Sequence, residues 1–242
     1  MNKIIRLSLL VALFGFSTGC AFRGGASGSV SIQSGHFFGH NLTQIQSVVY
    51  VLDLSGSMSA RSGSIVSQAG NSATSKVGGV LSRGLLGRKS GNKVEKRIAD
   101  SNKKIELVKL HLIASIQGLP TGAQFNIILF SNGVQKLAPG MIVSTAGSKA
   151  LVSAFVDRLK SGGGTNMYSA LEAGLFSGAQ QVILLTDGLP TSSSPQDILN
   201  MARQNNADGR FTISTVGVGN DQAYTFLQQL AQENRGLFQS YQ

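Results

Sequence analysis

Short, almost wholly apolar runs alternate with stretches of helical spacing, and this alternation limits the fold more than any other feature of the chain. Residues 47–52 (SVVYVL), 125–130 (FNIILF) and 181–185 (QVILL) have the β-branched, uninterrupted character of strands buried on both faces, and residues 211–216 (FTISTV) supply a fourth strand. Between them, residues 104–116 carry Ile105, Leu107, Val108, Leu112 and Ile116 at near-helical spacing. Further helices are predicted over residues 149–159, 195–204 and 222–232. A short last strand is predicted at 236–239, and an edge strand is weakly signalled between 134 and 143. Strands covered on both faces and joined by helices form a parallel sheet with right-handed crossovers. The expectation is therefore a doubly wound, Rossmann-like α/β domain over residues 45–242, with a mostly parallel central sheet and helices on both faces.

Charge is distributed unevenly over this pattern. The chain of 242 residues has a formal net charge of +10. Residues 58–104 hold ten Lys and Arg against only Glu95 and Asp100, while the remainder beyond the first twenty residues is balanced. The surplus thus sits in a Gly/Ser-rich insertion between the first strand and its helix, far longer than the usual βα loop of about 2–6 residues. Two readings of this insertion stay open: docking on anionic lipid, at about 1 kcal/mol per basic residue near such a surface, or a solvated loop. Nucleic acid is not expected as a partner, because no zinc motif, aromatic stacking array or recognition helix accompanies the charge. A single cysteine excludes an intramolecular disulfide framework and any multi-cysteine zinc site.

That cysteine lies in an addressing segment. Lys3 and Arg6 precede ten apolar residues (7–16, LSLLVALFGF), then Ser17, Thr18, Gly19 and Cys20. Ten helical residues span about 15 Å, half of a hydrocarbon core, so the stretch reads as a secretory signal rather than a membrane span. The small residues before Cys20 resemble the bacterial lipoprotein box, with Ser17 where that box usually has Leu. The resemblance implies a signal peptide over 1–19, lipidation of Cys20 and a lipid anchor in the bacterial cell envelope. Ala21, where an Asp would resemble the inner-membrane retention signal, points to the outer membrane. Residues 20–44 then read as a Gly/Ser-rich tether. His36 and His40 fall in it as solvated linker histidines, since Gly35 and Gly39 argue against a helix that would pair them on a metal.

Chemistry concentrates after the strands. Asp53-Leu54-Ser55-Gly56-Ser57-Met58 follows the first strand, Gly162-Gly163-Gly164-Thr165-Asn166 comes much later, and Thr186-Asp187-Gly188 follows the third strand. Hydroxyls and two carboxylates are thereby placed at the carboxyl edge of a parallel sheet, where open α/β folds bind ligands. An all-oxygen set without His or Cys suits a hard divalent cation, Mg²⁺ before Mn²⁺ or Ca²⁺. Without a metal, the same serines would serve as caps and Asp187-Gly188 as a turn.

Taken together, these residues resemble the metal-ion-dependent adhesion site of the von Willebrand factor A domain family. Its pattern is Asp-x-Ser-x-Ser, then a distant Thr, then a distant Asp, filled here in order by Asp53, Ser55, Ser57, Thr165 and Asp187. The resemblance implies that the hydroxyls of Ser55, Ser57 and Thr165 contact the metal directly. Asp53 and Asp187 would then act through water or by accepting hydrogen bonds from those ligands. Neutral ligands leave the ion's charge uncompensated, so an Asp or Glu of a protein partner would complete the site. The implied function is metal-dependent protein binding in adhesion or complex assembly. Two alternatives remain: a metal-insensitive scaffold of an envelope complex, and a Mg²⁺-dependent phosphohydrolase. Catalysis is disfavoured, because neither serine has a partnered base in the sequence, His111 falls within a helix, and no phosphate-cradling loop is present.

Overall fold

The computed structural model describes residues 32–61 and 103–242. Strand β1 (His36–Phe37) and β2 (His40–Asn41) form a small hairpin, and β3 (Ser47–Asp53) opens the main sheet. A 3₁₀ turn (Gly56–Ser59) follows β3, and α1 (Lys104–Gln117) leads to β4 (Gln124–Phe130). Two short strands, β5 (Val134–Lys136) and β6 (Ile142–Val143), precede α2 (Ala146–Val156) and α3 (Met167–Leu175). The chain ends through β7 (Gln181–Thr186), α4 (Pro195–Asn205), β8 (Thr212–Val218), α5 (Tyr224–Glu233) and β9 (Arg235–Tyr241).

The main sheet runs in the order β5-β4-β3-β7-β8-β9, with β6 also pairing β4. Strands β4, β3, β7, β8 and β9 are parallel, while β5 and β6 lie antiparallel along β4. The doubly wound architecture is as the alternation predicts. Every residue of β3 is buried, because successive side chains enter opposite cores. Val48, Tyr50 and Leu52 pack with α1 and α2, whereas Val49 and Val51 pack with α3, α4 and α5. From β3 the chain first goes to β4 on one side and later to β7 on the other. This reversal opens a crevice at the carboxyl end of β3.

Helix boundaries follow local chemistry. Helix α2 begins three residues before its predicted start, because Thr145 and Ser148 form a reciprocal capping box. Ser194 and Asp197 cap α4 in the same way, ahead of Pro195 in the first turn. Helix α3 was not predicted. Its buried Met167, Ala170, Leu171, Gly174 and Leu175 have helical spacing, but two of the five are too small to mark a hydrophobic stripe.

The predicted tether is corrected over its last part. Residues 35–42 are packed against the domain, with Phe37, Phe38 and Leu42 buried. Among the described residues two helices, α1 and α2, lie in this core against three in the other, and the hairpin joins the same cluster as Val216 and Val218. Phe37 meets Tyr50 edge-on at 5.1 Å, and Phe38 stacks on His111 at 3.9 Å and meets Tyr241 edge-on at 4.8 Å. The tight turn needs left-handed backbone at Gly35, Phe38 and Gly39, and Gly118 at the end of α1 lies so close to Gly35 that a Cβ there would strike its backbone. His40 is consequently not a solvated linker histidine but is 5% exposed. Burial lowers its pKa to about 4, against the weaker opposite pull of a hydrogen bond with the Thr215 backbone. His111 is equally enclosed, and burial lowers it to about 3.

The ends of the basic insertion are closed by a bridge between Arg61 and Lys103, with Lys104 N donating to Ala60 O at 3.1 Å. The expectations for the signal peptide, Cys20 and the body of the insertion lie outside the described residues. Among those described, no helix is long and apolar enough to cross a membrane.

Candidate metal centre

The chain turns sharply at the end of β3, and the turn is built by its own side chains. Asp53 is fully buried, and its Oδ1 accepts from Ser55 N at 2.6 Å. Its Oδ2 accepts from Thr186 Oγ1 at 2.6 Å, tying the end of β3 to the end of β7. Both carboxylate oxygens are therefore engaged by protein donors. Burial pushes the Asp53 carboxyl above its ordinary pKa, the bonds from Ser55 and Thr186 oppose this, and the neighbouring charge of Asp187 adds to the rise.

Three oxygens then converge. Ser55 Oγ lies 3.0 Å from Ser57 Oγ, and Ser57 Oγ donates to Asp187 Oδ1 at 2.8 Å. Adjacent oxygens of an octahedron with metal–oxygen distances of about 2.1 Å are about 3.0 Å apart, so this spacing fits a Mg²⁺-sized ion. The Thr165 loop is laced alongside by backbone: Gly162 N donates to Leu54 O at 2.7 Å, and Gly56 N donates to Gly163 O at 3.0 Å. Gly163 adopts φ +91°, which lets its carbonyl face the first loop. Asn132 accepts from Gly164 N at 2.6 Å, and Thr165 N donates to Thr191 Oγ1 at 2.9 Å. Side-chain and backbone hydrogen bonds thus draw Asp53, Ser55, Ser57 and Asp187 into one group, whereas Thr165 joins through the backbone of its loop.

Two participants have roles that the sequence reading did not assign. Thr186 bridges to Asp53 from the residue next to Asp187. Lys104, counted among the charges of the basic insertion, is instead inside the site with a side chain only 3% exposed. Its Nζ donates to Asp187 Oδ2 at 2.9 Å and to Asp221 Oδ1 at 2.6 Å. Burial works to lower the Lys104 pKa, but the bonds to Asp221 and Asp187 outweigh it and hold the group above its ordinary value. The available signal was positional: Lys104 is the first residue of the predicted helix, at the carboxyl edge of the sheet.

Among the described residues no three His, Cys, Asp or Glu gather as a metal cluster. The candidate donors are mainly hydroxyls, and the one buried ammonium, Lys104, is shared between the buried Asp187 and the exposed Asp221. Lys104 is the single cation shown against the carboxylates Asp53, Asp187 and Asp221 among the described residues, so the residues present fit a further cation.

Comparison with known proteins agrees with this architecture. The human inter-alpha-trypsin inhibitor heavy chain H4 is 28% identical over 232 residues, covering 88% of this chain and 20% of the relative. The heavy chain H1 of Mesocricetus auratus is 29% identical over 151 residues, covering 56% of this chain and 16% of the relative. The chain therefore spans a fifth or less of the length of these curated relatives. Among solved structures, a von Willebrand factor type A protein from Catenulispora acidiphila superposes with TM-score 0.58 and 22% identity, covering 82% of this chain and 39% of that one. An aerotolerance-related membrane protein from Bacteroides fragilis gives TM-score 0.51 and 14% identity, covering 79% and 89%. The family profile described as von Willebrand factor type A domain matches residues 98–240, from just ahead of α1 to the last strand. With a doubly wound sheet and a hydroxyl-rich crevice at its carboxyl edge, the chain belongs to the von Willebrand factor type A domain family.

Proposed function

We propose that this domain binds a protein partner through a divalent cation, Mg²⁺ before Mn²⁺ or Ca²⁺, held by Ser55, Ser57 and Thr165 with Asp53 and Asp187 in support. The observation that carries the reading is the run of Ser55 Oγ, Ser57 Oγ and Asp187 Oδ1, in which Ser57 Oγ lies 3.0 Å from the first and 2.8 Å from the last, spacings that suit oxygens around one small ion. A bound cation would supply a Lewis-acid position for a partner's Asp or Glu. The protein's own residues do the rest. Asp53 fixes the Ser55 backbone and Thr186, so the serine hydroxyls are aimed before any ligand arrives. Asp187 orients the Ser57 hydroxyl. Beside the Thr165 loop, a polar cleft lined by Asn166, Tyr168, Ser192, Asn200 and Gln204 offers hydrogen bonds to residues flanking the partner's carboxylate. In this reading the protein is a binding module rather than an enzyme, anchored through lipidated Cys20 in the bacterial envelope, with the outer membrane favoured.

A second reading is supported by Lys104. Its ammonium already satisfies Asp187 Oδ2, as a scaffold domain that works without metal would require. Calorimetric titration with Mg²⁺ and capture from envelope extract with and without EDTA separate the two. Wild type is expected to take up Mg²⁺ and to lose its partner in EDTA. Asp53→Ala is expected to abolish Mg²⁺ uptake while circular dichroism still reports the folded sheet. Unchanged Mg²⁺ affinity in Asp53→Ala would refute the metal assignment, and EDTA-insensitive capture would favour the scaffold.

A further inference from the structure

Among the described residues, Lys104 is the group in the crevice whose chemistry opposes a cation. It enters from the first residue of α1, and its side chain is almost wholly enclosed. The stem runs past Gly219, where a Cβ would lie 2.8 Å from Lys104 Nζ. Gly219 also adopts φ +92°, so the loop after β8 is shaped to leave room for the lysine. The ammonium contacts Asp187 Oδ2 on one side and Asp221 Oδ1 on the other. Asp221 is 63% exposed, whereas Asp187 is 1% exposed. The buried carboxylate that orients Ser57 is thereby linked through one cation to a surface loop.

We propose that Lys104 is a resident counter-ion that sets the affinity of the metal centre, holding it well below what the same oxygens would give alone. This rests on the reading of the crevice as a metal site. The physical cause is twofold. A fixed positive charge beside the donors repels an incoming divalent cation, and this repulsion is strong where water is largely excluded. The ammonium also occupies Asp187 Oδ2, leaving that carboxylate partly neutralised before an ion arrives. In exchange, Lys104 compensates the buried Asp187 carboxylate when no metal is bound, so the crevice stays assembled. Lys104 is thus a positioning and affinity-determining residue, not a ligand.

The test compares the full chain with K104M, which keeps the stem without the charge, and K104Q, which keeps a hydrogen-bond donor for Asp187 without the charge. Mg²⁺ titration by calorimetry is expected to show affinity raised about tenfold or more in both variants. Thermal unfolding supplies a second readout: millimolar Mg²⁺ is expected to raise the midpoint of each variant more than that of wild type. Without metal, K104M is expected to melt below wild type because Asp187 loses its counter-charge. Should K104M fail to fold, K104Q decides. If wild type binds Mg²⁺, D53A does not, and the charge-free variants bind no tighter than wild type, the inference is overturned and the metal reading stands. If neither wild type nor the charge-free variants bind, the metal reading falls and takes the inference with it. Binding by the variants where wild type binds too weakly to measure would support both.

Discussion

Lowering the pH from 7.5 to 5 is expected to remove about 4 kcal/mol of folding stability through two histidines alone. Burial lowers the pKa of His40 to about 4 and that of His111 to about 3, from an ordinary 6.5. Both are neutral in the folded protein across this range, whereas in the unfolded chain they take up protons below pH 6.5. Their contribution is therefore complete above pH 6.5 and declines as pH falls toward 4 for His40 and 3 for His111. At pH 5 each accounts for a loss of about 2 kcal/mol, at about 1.4 kcal/mol per pH unit. Asp53 pulls the other way, since its folded pKa is raised and its protonated form is relatively favoured as pH falls. Substitution isolates the histidines: His111→Leu is expected to remove about half of the acid-dependent loss. Urea unfolding followed by far-ultraviolet circular dichroism measures this, the chain having no Trp for fluorescence. An acid limb of unchanged slope in His111→Leu would show that His111 is not buried neutral.

Phe38→Ala is expected to destabilise the domain by about 4 kcal/mol at pH 7.5, near the middle of the range for emptying a buried aromatic site. Phe38 is fully buried and touches Phe37, His111 and Tyr241 with its ring. Its loss also opens His111 to water and returns that imidazole toward its ordinary pKa. The two perturbations are consequently not additive. The destabilisation measured at pH 5 is expected to be about 2 kcal/mol smaller than at pH 7.5, because the variant no longer excludes a proton from His111. Equal destabilisation at both pH values would mean that Phe38 does not shield His111.

The central strands were legible in the sequence because full burial on both sides leaves no polar residue to interrupt them, as in Val48 to Leu52. Helix α1 was legible through its repeated large aliphatic residues. Helix α3 was not, as Ala170 and Gly174 allow close packing without a strong apolar signature. The hairpin escaped for a different reason: Gly35 and Gly39 read as flexible linker, whereas here they permit a turn whose anchor is Phe38 with φ +45°. At the candidate metal centre, Ser55, Ser57 and Asp187 were legible as a spaced motif, and the structure brings them together by hydrogen bonds. Lys104 was hidden by its company. Ten basic residues in one insertion look alike in a charge count, and only the fold shows which of them turns inward.

The packing of Phe38 against Tyr241 also bears on how the domain is completed during synthesis. The hairpin precedes β3 in the chain, whereas Tyr241 closes the last strand of the sheet, β9. Phe37 meets Tyr50 and Phe38 stacks on His111, but the side of this cluster that faces Tyr241 is covered only once β9 has been made and has paired with β8. The packing of Phe38 on Tyr241 therefore joins the hairpin ahead of β3 to the last strand, a long-range contact of the kind that slows folding. Until then the aromatic surface is open to whatever else the nascent chain meets.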